Sequence, residues 1–315
     1  MPLPPTHKAL VQETHAAPLI VKTLQTPQPG PGFAVIKILY SPIISYMRDV
    51  YNGVRQYAYS VPLIPGVSAI GRFAAIGPDT TALEEGDLVY CDCTIRGRDD
   101  SDAIFLLGLS EGGTEGSRKL MDGEWRDGTF AEYAKLPLEN IFRLDEGRLC
   151  GELGYAPEKL CFVLSALVPY GGLRSIGLQP GETVIVAPAT GGFGSAAVVV
   201  TLAMGAGKVI AMGRNAEALD KLKSLGSKVE TVQMVGDVKA ETAALKKFGT
   251  IDAFFDISPK EAAESTHFKS AICSLRRGGR VSLMVSACFV HNRLKWADDH
   301  RAAYWVICPF LTVMS

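Results

Sequence analysis

Residues 182–195 read Glu-Thr-Val-Ile-Val-Ala-Pro-Ala-Thr-Gly-Gly-Phe-Gly-Ser. The unbroken apolar run ending at Ala187 reads as a strand buried on both faces. Residues 195–204 are apolar and read as a helix. Between them lie Thr190, Gly191, Gly192, Phe193 and Gly194. A glycine-rich turn between a strand and a helix lets the backbone approach a pyrophosphate closely. The helix then offers free N–H groups and the positive end of its dipole. The alternative is a tight strand–helix turn without a ligand.

Downstream, strands alternate with helices. Residues 208–212, 251–256 and 280–285 read as strands. Residues 217–225 read as an amphipathic helix stopped by Gly226, and 262–275 as a helix stopped by Gly278-Gly279. Apolar strands joined by helices imply a parallel sheet covered on both faces. Upstream of about Leu160 the pattern differs. Residues 33–40, 69–76 and 87–90 are short strand-like pieces cut by Gly and Pro, the mark of an antiparallel, barrel-like module. The polar, glycine-rich stretch 91–127 is expected to be a long surface excursion. The expected class is α/β: a β-barrel-type N-terminal domain over 1–150 and a doubly wound Rossmann sheet over 151–286, followed by a tail, 287–315.

Composition sets the limits. A chain of 315 residues has a prior of two domains. With 47% hydrophobic and 21% charged residues it is globular, which excludes disorder and collagen. A net charge of −1 argues against nucleic acid and anionic membrane as partners. The one dense basic run, Arg276-Arg277-Gly278-Gly279-Arg280, reads as a solvated turn before a strand. No uncharged apolar run reaches the roughly 18 residues of a membrane span. The N-terminal residues MPLPPTHKAL lack a signal-peptide core. Seven cysteines without paired spacing fit reduced thiols and a cytoplasmic location.

The second nucleotide-domain strand runs into Gly213-Arg214-Asn215. NAD-binding chains place a carboxylate about 20 residues after the glycines, on the ribose 2′-hydroxyl. Here Arg214 stands 20 residues after Gly194. A guanidinium pairs with a 2′-phosphate, so the expected cofactor is NADPH rather than NADH. The alternative is a solvated charge at a helix entry. No metal is expected: Cys91-x-Cys93 lacks a four-ligand set, and His7, His15, His267, His291 and His300 form no ligand motif. Gly108-Leu109-Ser110-Glu111-Gly112 matches the hydrolase pattern G-x-S-x-G. That elbow needs a helix directly after it, and Gly112-Gly113-Thr114 is a poor helix start.

Several segments together resemble the medium-chain dehydrogenase/reductases. They are Pro65-Gly66-Val67-Ser68-Ala69-Ile70-Gly71, Gly86-Asp87-Leu88-Val89, Gly128-Thr129-Phe130-Ala131-Glu132-Tyr133, and residues 178–186 running into the glycine turn. The resemblance implies a GroES-like module before a Rossmann domain. Zinc-dependent members carry Gly-His-Glu where this chain has Gly66-Val67-Ser68, and a cysteine where it reads 41–49 without one. Their four-cysteine lobe is also missing. The chain therefore resembles the zinc-independent quinone and enone reductases, and Tyr46-Met47-Arg48 is similar to the alkenal/one double-bond reductases.

The resemblance implies a nicotinamide between the two domains, near residues 45–49. Tyr46 is then the catalytic candidate, a neutral donor to the substrate oxygen. A packed tyrosine is the alternative, and Arg48 and Asp49 are read as an ion pair holding the loop. Ser258 is placed toward the nicotinamide half, and Tyr170 toward the domain junction. The implied activity is NADPH-dependent hydride transfer to a quinone, enone or related carbonyl compound. The alternatives are a partner-dependent enoyl reductase of a biosynthetic pathway and an NADPH-binding protein without turnover. A small-molecule substrate and a homodimer are the expected partners. The resemblance stops near Val285, and only 30 residues remain. Residues 292–301 are charged and 302–315, AAYWVICPFLTVMS, are apolar, so the chain reads as shortened or as carrying a new tail.

Overall fold

In the computed structural model, residues 2–259, 262, 264–284 and 305–307 are described. The chain divides after Leu164 into two units. The first contains β1 (Thr6–Val11), β2 (Ile20–Gln25), β3 (Phe33–Tyr40), α1 (Met47–Tyr51), β4 (Ala69–Ala75), β5 (Leu88–Cys91), β6 (Thr94–Arg96), β7 (Ile104–Leu106), α2 (Glu115–Gly123), β8 (Tyr133–Pro137) and β9 (Ile141–Arg143). Five strands form an antiparallel sheet in the order β8-β3-β4-β5-β9. Gly71 lets β4 lie close to β3: a Cβ there would sit 2.5 Å from Ile36 Cγ2. Ile36, Ile70 and Leu88 fill the core beneath.

The stretch 91–127 is not a surface excursion. It folds into the β6–β7 hairpin and α2, and it buries Ile95, Phe105, Leu107, Leu109 and Met121 almost completely. Its polar residues mislead because they work at turns and caps. Thr114 caps α2 by accepting from the Ser117 N–H, and Ser117 reciprocates with a bond from the Thr114 N–H. The apolar residues at 105, 107 and 109 supply the buried contacts between these turns.

The helix α3 (Phe162–Ser175) crosses the division, and the second unit contains it from Ser165 onward, with β10 (Thr183–Ala187), α4 (Gly192–Ala203), β11 (Lys208–Gly213), α5 (Ala216–Lys223), β12 (Val229–Gln233), α6 (Val238–Lys246), β13 (Ala253–Asp256), α7 (His267–Ile272), β14 (Arg280–Leu283) and β15 (Trp305–Ile307). All six strands are parallel, in the order β12-β11-β10-β13-β14-β15. This is the doubly wound order, reversing direction between β10 and β13. Alternation explains why its strands read as continuous apolar runs. Val184, Val186, Val209, Ala211 and Phe255 pack on one face, and Ile185, Ala187, Ile210, Met212 and Phe254 on the other.

The sequence reading passed over α3, β12 and α6. β12 is an edge strand whose Glu230 and Gln233 interrupt the apolar pattern. The helix expected over 262–275 is shorter, beginning at His267. Most of the tail 287–315 lies outside the described residues. Its backbone at Trp305–Ile307 pairs with β14 as the outermost strand. Among the described residues no helix is long and apolar enough to cross a membrane.

His7, on β1, is buried, and neither ring nitrogen has a partner among the described residues. Burial lowers its pKa below 6.5, partly opposed by Glu132. The unfolded chain thus binds the proton more readily than the folded one, and stability drops as the pH falls below 6.5. Denaturant titrations at pH about 7 and about 5 should show the parent losing more stability than His7→Leu over that interval. An identical pH dependence in both proteins would exclude His7 as the source.

Candidate functional site

At the carboxyl end of β10, the chain enters α4 through Gly191, which occupies the N-cap in extended conformation (φ −90°, ψ 173°). Glycine has no side chain to cap with, and no side-chain cap hydrogen bond is made there among the described residues. The first turn of α4 therefore keeps its amides open at the positive end of the helix. Hydrogen bonding inside the helix begins with the Ser195 N–H donating to the Gly191 carbonyl at 2.8 Å.

The glycines divide into two kinds. A Cβ on Gly194 would lie 2.0 Å from the Pro188 carbonyl oxygen, so this residue lets the helix press against the strand end. A Cβ on Gly213 would lie 2.4 Å from Thr190 Cγ2. Gly213 thus brings β11 against the turn, where the Ala189 N–H donates to the Met212 carbonyl at 2.7 Å. Around Gly191 and Gly192 there is open space. These are the two positions where a ligand can approach the backbone. Phe193, between Gly192 and Gly194, is half-buried.

Arg214 is exposed at the end of β11 and has no ion-pair partner among the described residues. Asn215 caps α5: its Oδ1 accepts from the Ala218 N–H at 3.1 Å. Ser258 is buried rather than presented to a ligand. Its N–H donates to Asp256 Oδ1 at 2.9 Å, its hydroxyl donates to the same oxygen, and His267 Nε2 lies 2.7 Å from that hydroxyl. Glu241 is also buried. Its Oε1 accepts from the Val235 and Gly236 N–H groups and the Thr266 hydroxyl, and its Oε2 from Ser270. Sequence reasoning missed Asp256, His267 and Glu241 as a polar framework. The available signal was a carboxylate closing the apolar strand Phe254-Phe255-Asp256 and a histidine opening the next helix.

Tyr46 belongs to the first unit, at the N-cap of α1. It is half-buried, with the Arg55 guanidinium 4.7 Å from its ring centroid and the Tyr57 ring 6.2 Å away. Burial holds its phenol well above the ordinary pKa, with Tyr57 and Cys93 adding to the rise and Arg55 opposing it. Arg48 and Asp49 are both exposed and do not pair with each other among the described residues, so no ion pair between them holds the loop. Tyr170 is exposed on α3.

The segment that would carry zinc ligands is built from other chemistry. Val67 is buried. The Ser68 hydroxyl donates to the Cys91 carbonyl at 2.6 Å, while Ser41 and Thr129 hydroxyls both donate to the Ser68 carbonyl at 2.9 Å. Among the described residues no three His, Cys, Asp or Glu side chains converge to hold a metal. Burial pushes the Cys91 and Cys93 thiols up to about 12. Ser110 is buried in the turn after β7, and α2 starts only at Glu115, which does not make a nucleophile elbow.

Residues 30–146 match the family model described as the alcohol dehydrogenase GroES-like domain. An alcohol dehydrogenase 1 from Emericella nidulans is 28% identical over 247 residues, covering 77% of this chain and 67% of the relative. An alcohol dehydrogenase from Rhizobium meliloti is 31% identical over 207 residues, covering 64% of this chain and 56% of the relative. The matched part of this chain thus spans about two thirds or less of these relatives. Among solved structures, an NAD-dependent alcohol dehydrogenase superposes with a TM-score of 0.70 at 20% identity, covering 95% of this chain and 83% of the other. A cobalt- and zinc-bound thermostable alcohol dehydrogenase from Pyrobaculum aerophilum gives 0.66 at 21% identity, covering 89% and 77%. These structural likenesses establish the shared fold.

The two kinds of glycine should behave differently. Gly194→Ala should lower the thermal midpoint, with an overpacking cost of ~1–3 kcal/mol. Gly192→Ala, facing open space, should leave the midpoint unchanged. Calorimetry on both variants checks the assignment, and the reverse order would refute it.

Proposed function

This chain belongs to the medium-chain dehydrogenase/reductases, and from that premise we propose that it is a zinc-independent, NADPH-dependent oxidoreductase acting on a quinone, an enone or a related carbonyl compound. One observation carries the reading: the open, uncapped glycine turn at the N-terminus of α4, placed where the order of the parallel sheet reverses. Dinucleotides bind at such switch points, with the pyrophosphate against the helix start. The cradle fits: Gly191 and Gly192 leave room that a Cβ would occupy. Thr190 and Phe193 flank it, and the nucleotide domain, expected over 151–286, is proposed to begin with the second unit, after Leu164.

Arg214 and the lack of a carboxylate in Gly213-Arg214-Asn215 support NADPH over NADH. The guanidinium pairs with the 2′-phosphate, which a carboxylate would repel. The Asn215 amide nitrogen is available beside it, because only Oδ1 serves the helix cap. The bound nicotinamide supplies the hydride. Tyr46, kept protonated by its surroundings, donates a hydrogen bond to the substrate oxygen as negative charge develops there. The zinc-free reading rests on Val67 and Ser68, whose apolar side chain and committed hydroxyl offer no ligand set.

Fluorescence titration should show NADPH binding the parent at least about tenfold more tightly than NADH, and Arg214→Ala should remove most of that preference. An equal loss for both nucleotides would overturn the 2′-phosphate assignment. Tyr46→Phe should lower turnover about tenfold or more with unchanged NADPH affinity. Full turnover in that variant would remove the tyrosine from the reaction. Tight NADPH binding without turnover on any quinone or enone would leave a nucleotide-binding protein in place of the reductase.

A further inference from the structure

The sheet order gives the two ends of a bound dinucleotide different neighbours. β11 and β13 flank β10 on opposite sides. Arg214 directly follows β11, so an adenosine 2′-phosphate held by it lies on that side, and the other nucleotide half extends over the carboxyl end of β13. There Asp256 pairs in register with Ala187, and the Ile257 N–H donates to the Ala187 carbonyl at 2.9 Å.

A closed polar network lies immediately beneath. Asp256 is fully buried, and a buried carboxylate is costly unless donors surround it. Ser258 provides two, its N–H and its hydroxyl. That spends the single hydroxyl proton, so His267 Nε2 donates to Ser258 Oγ at 2.7 Å, while Asp256 Oδ1 lies 3.6 Å from the same nitrogen. In the neutral ring, Nδ1 then accepts from the Ser265 hydroxyl at 2.9 Å. His267 itself is fully buried, with the Phe254 ring edge-on to it. The network joins the first residues beyond β13 to the first residue of α7.

We propose that His267 is a positioning residue: acting through Ser258, it fixes the backbone beyond β13 against the nicotinamide half of the dinucleotide. The inference rests on the nucleotide-binding reading above. Ser258 thereby contributes through the backbone it holds, and its hydroxyl is not itself a ligand group. Loss of the imidazole leaves Ser258 and Asp256 with one donor fewer in a buried site, and the segment they hold shifts.

The test compares two probes, NADPH and adenosine 2′,5′-bisphosphate, which carries only the adenosine half. Each is titrated against the full chain and against His267→Phe, His267→Gln and Ser258→Ala, with the thermal midpoint of every variant recorded. His267→Phe and Ser258→Ala should weaken NADPH about tenfold while the bisphosphate stays within about twofold. His267→Gln, which keeps an N–H toward Ser258, should recover most of the loss. A purely structural histidine would shift the midpoint and move both probes together. Parallel weakening of both probes, no change in either, or variants that do not fold would overturn the positioning role. Binding of neither probe by the parent chain would instead overturn the nucleotide-binding reading on which that role rests.

Discussion

The distance between Gly194 and the Pro188 carbonyl oxygen governs the second unit. With room for a hydrogen and none for a methyl group, α4 starts directly against the end of β10. Everything the turn can do follows from that contact. It starts the helix amides at the carboxyl end of β10, where Gly191 and Gly192 have open space around them. Gly213 makes the matching approach from β11 against Thr190. Two missing Cβ atoms thus hold the cradle closed on its protein side, and two others leave it open toward a ligand.

This part was legible in the sequence because backbone geometry forces the residue choice. Only glycine tolerates such approaches, so the constraint is written directly into Gly194 and Gly213. The strands were legible for a related reason: burial on both faces demands unbroken apolar runs. The segment 91–127 was not, because its glycines, Thr114 and Ser117 are turn and cap residues around a small buried core. Local polarity reported the turns, and the long-range contacts of Phe105, Leu109 and Met121 left no local mark.

The candidate site was legible in the same uneven way. Its glycines and Arg214 could be placed by spacing. Asp256, Ser258 and His267 could be named individually but not joined, since their relation exists only once β13 and α7 are side by side. Glu241 is a comparable case. It sits in an ordinary amphipathic helix, yet it gathers two amides and two hydroxyls from the segments following β12 and β13. Buried carboxylates of this kind bind loop ends to one another at a fixed spacing, and helical periodicity cannot distinguish them from solvated ones.

The burial of Cys91 and Cys93 has a chemical consequence. The proposed acceptors, enones and quinones, are electrophiles that add to thiolates, so an enzyme handling them would risk alkylating itself. With both thiols held to about 12, almost no thiolate forms at neutral pH, and the closed core denies the acceptor access. The two sulfurs then serve as small packing groups. Among the described cysteines, Cys273 is the exposed one and Cys150 and Cys161 are partly covered, so with the proposed acceptors adduct formation among these five would fall first on Cys273 and spare the β-sheet core of the first unit.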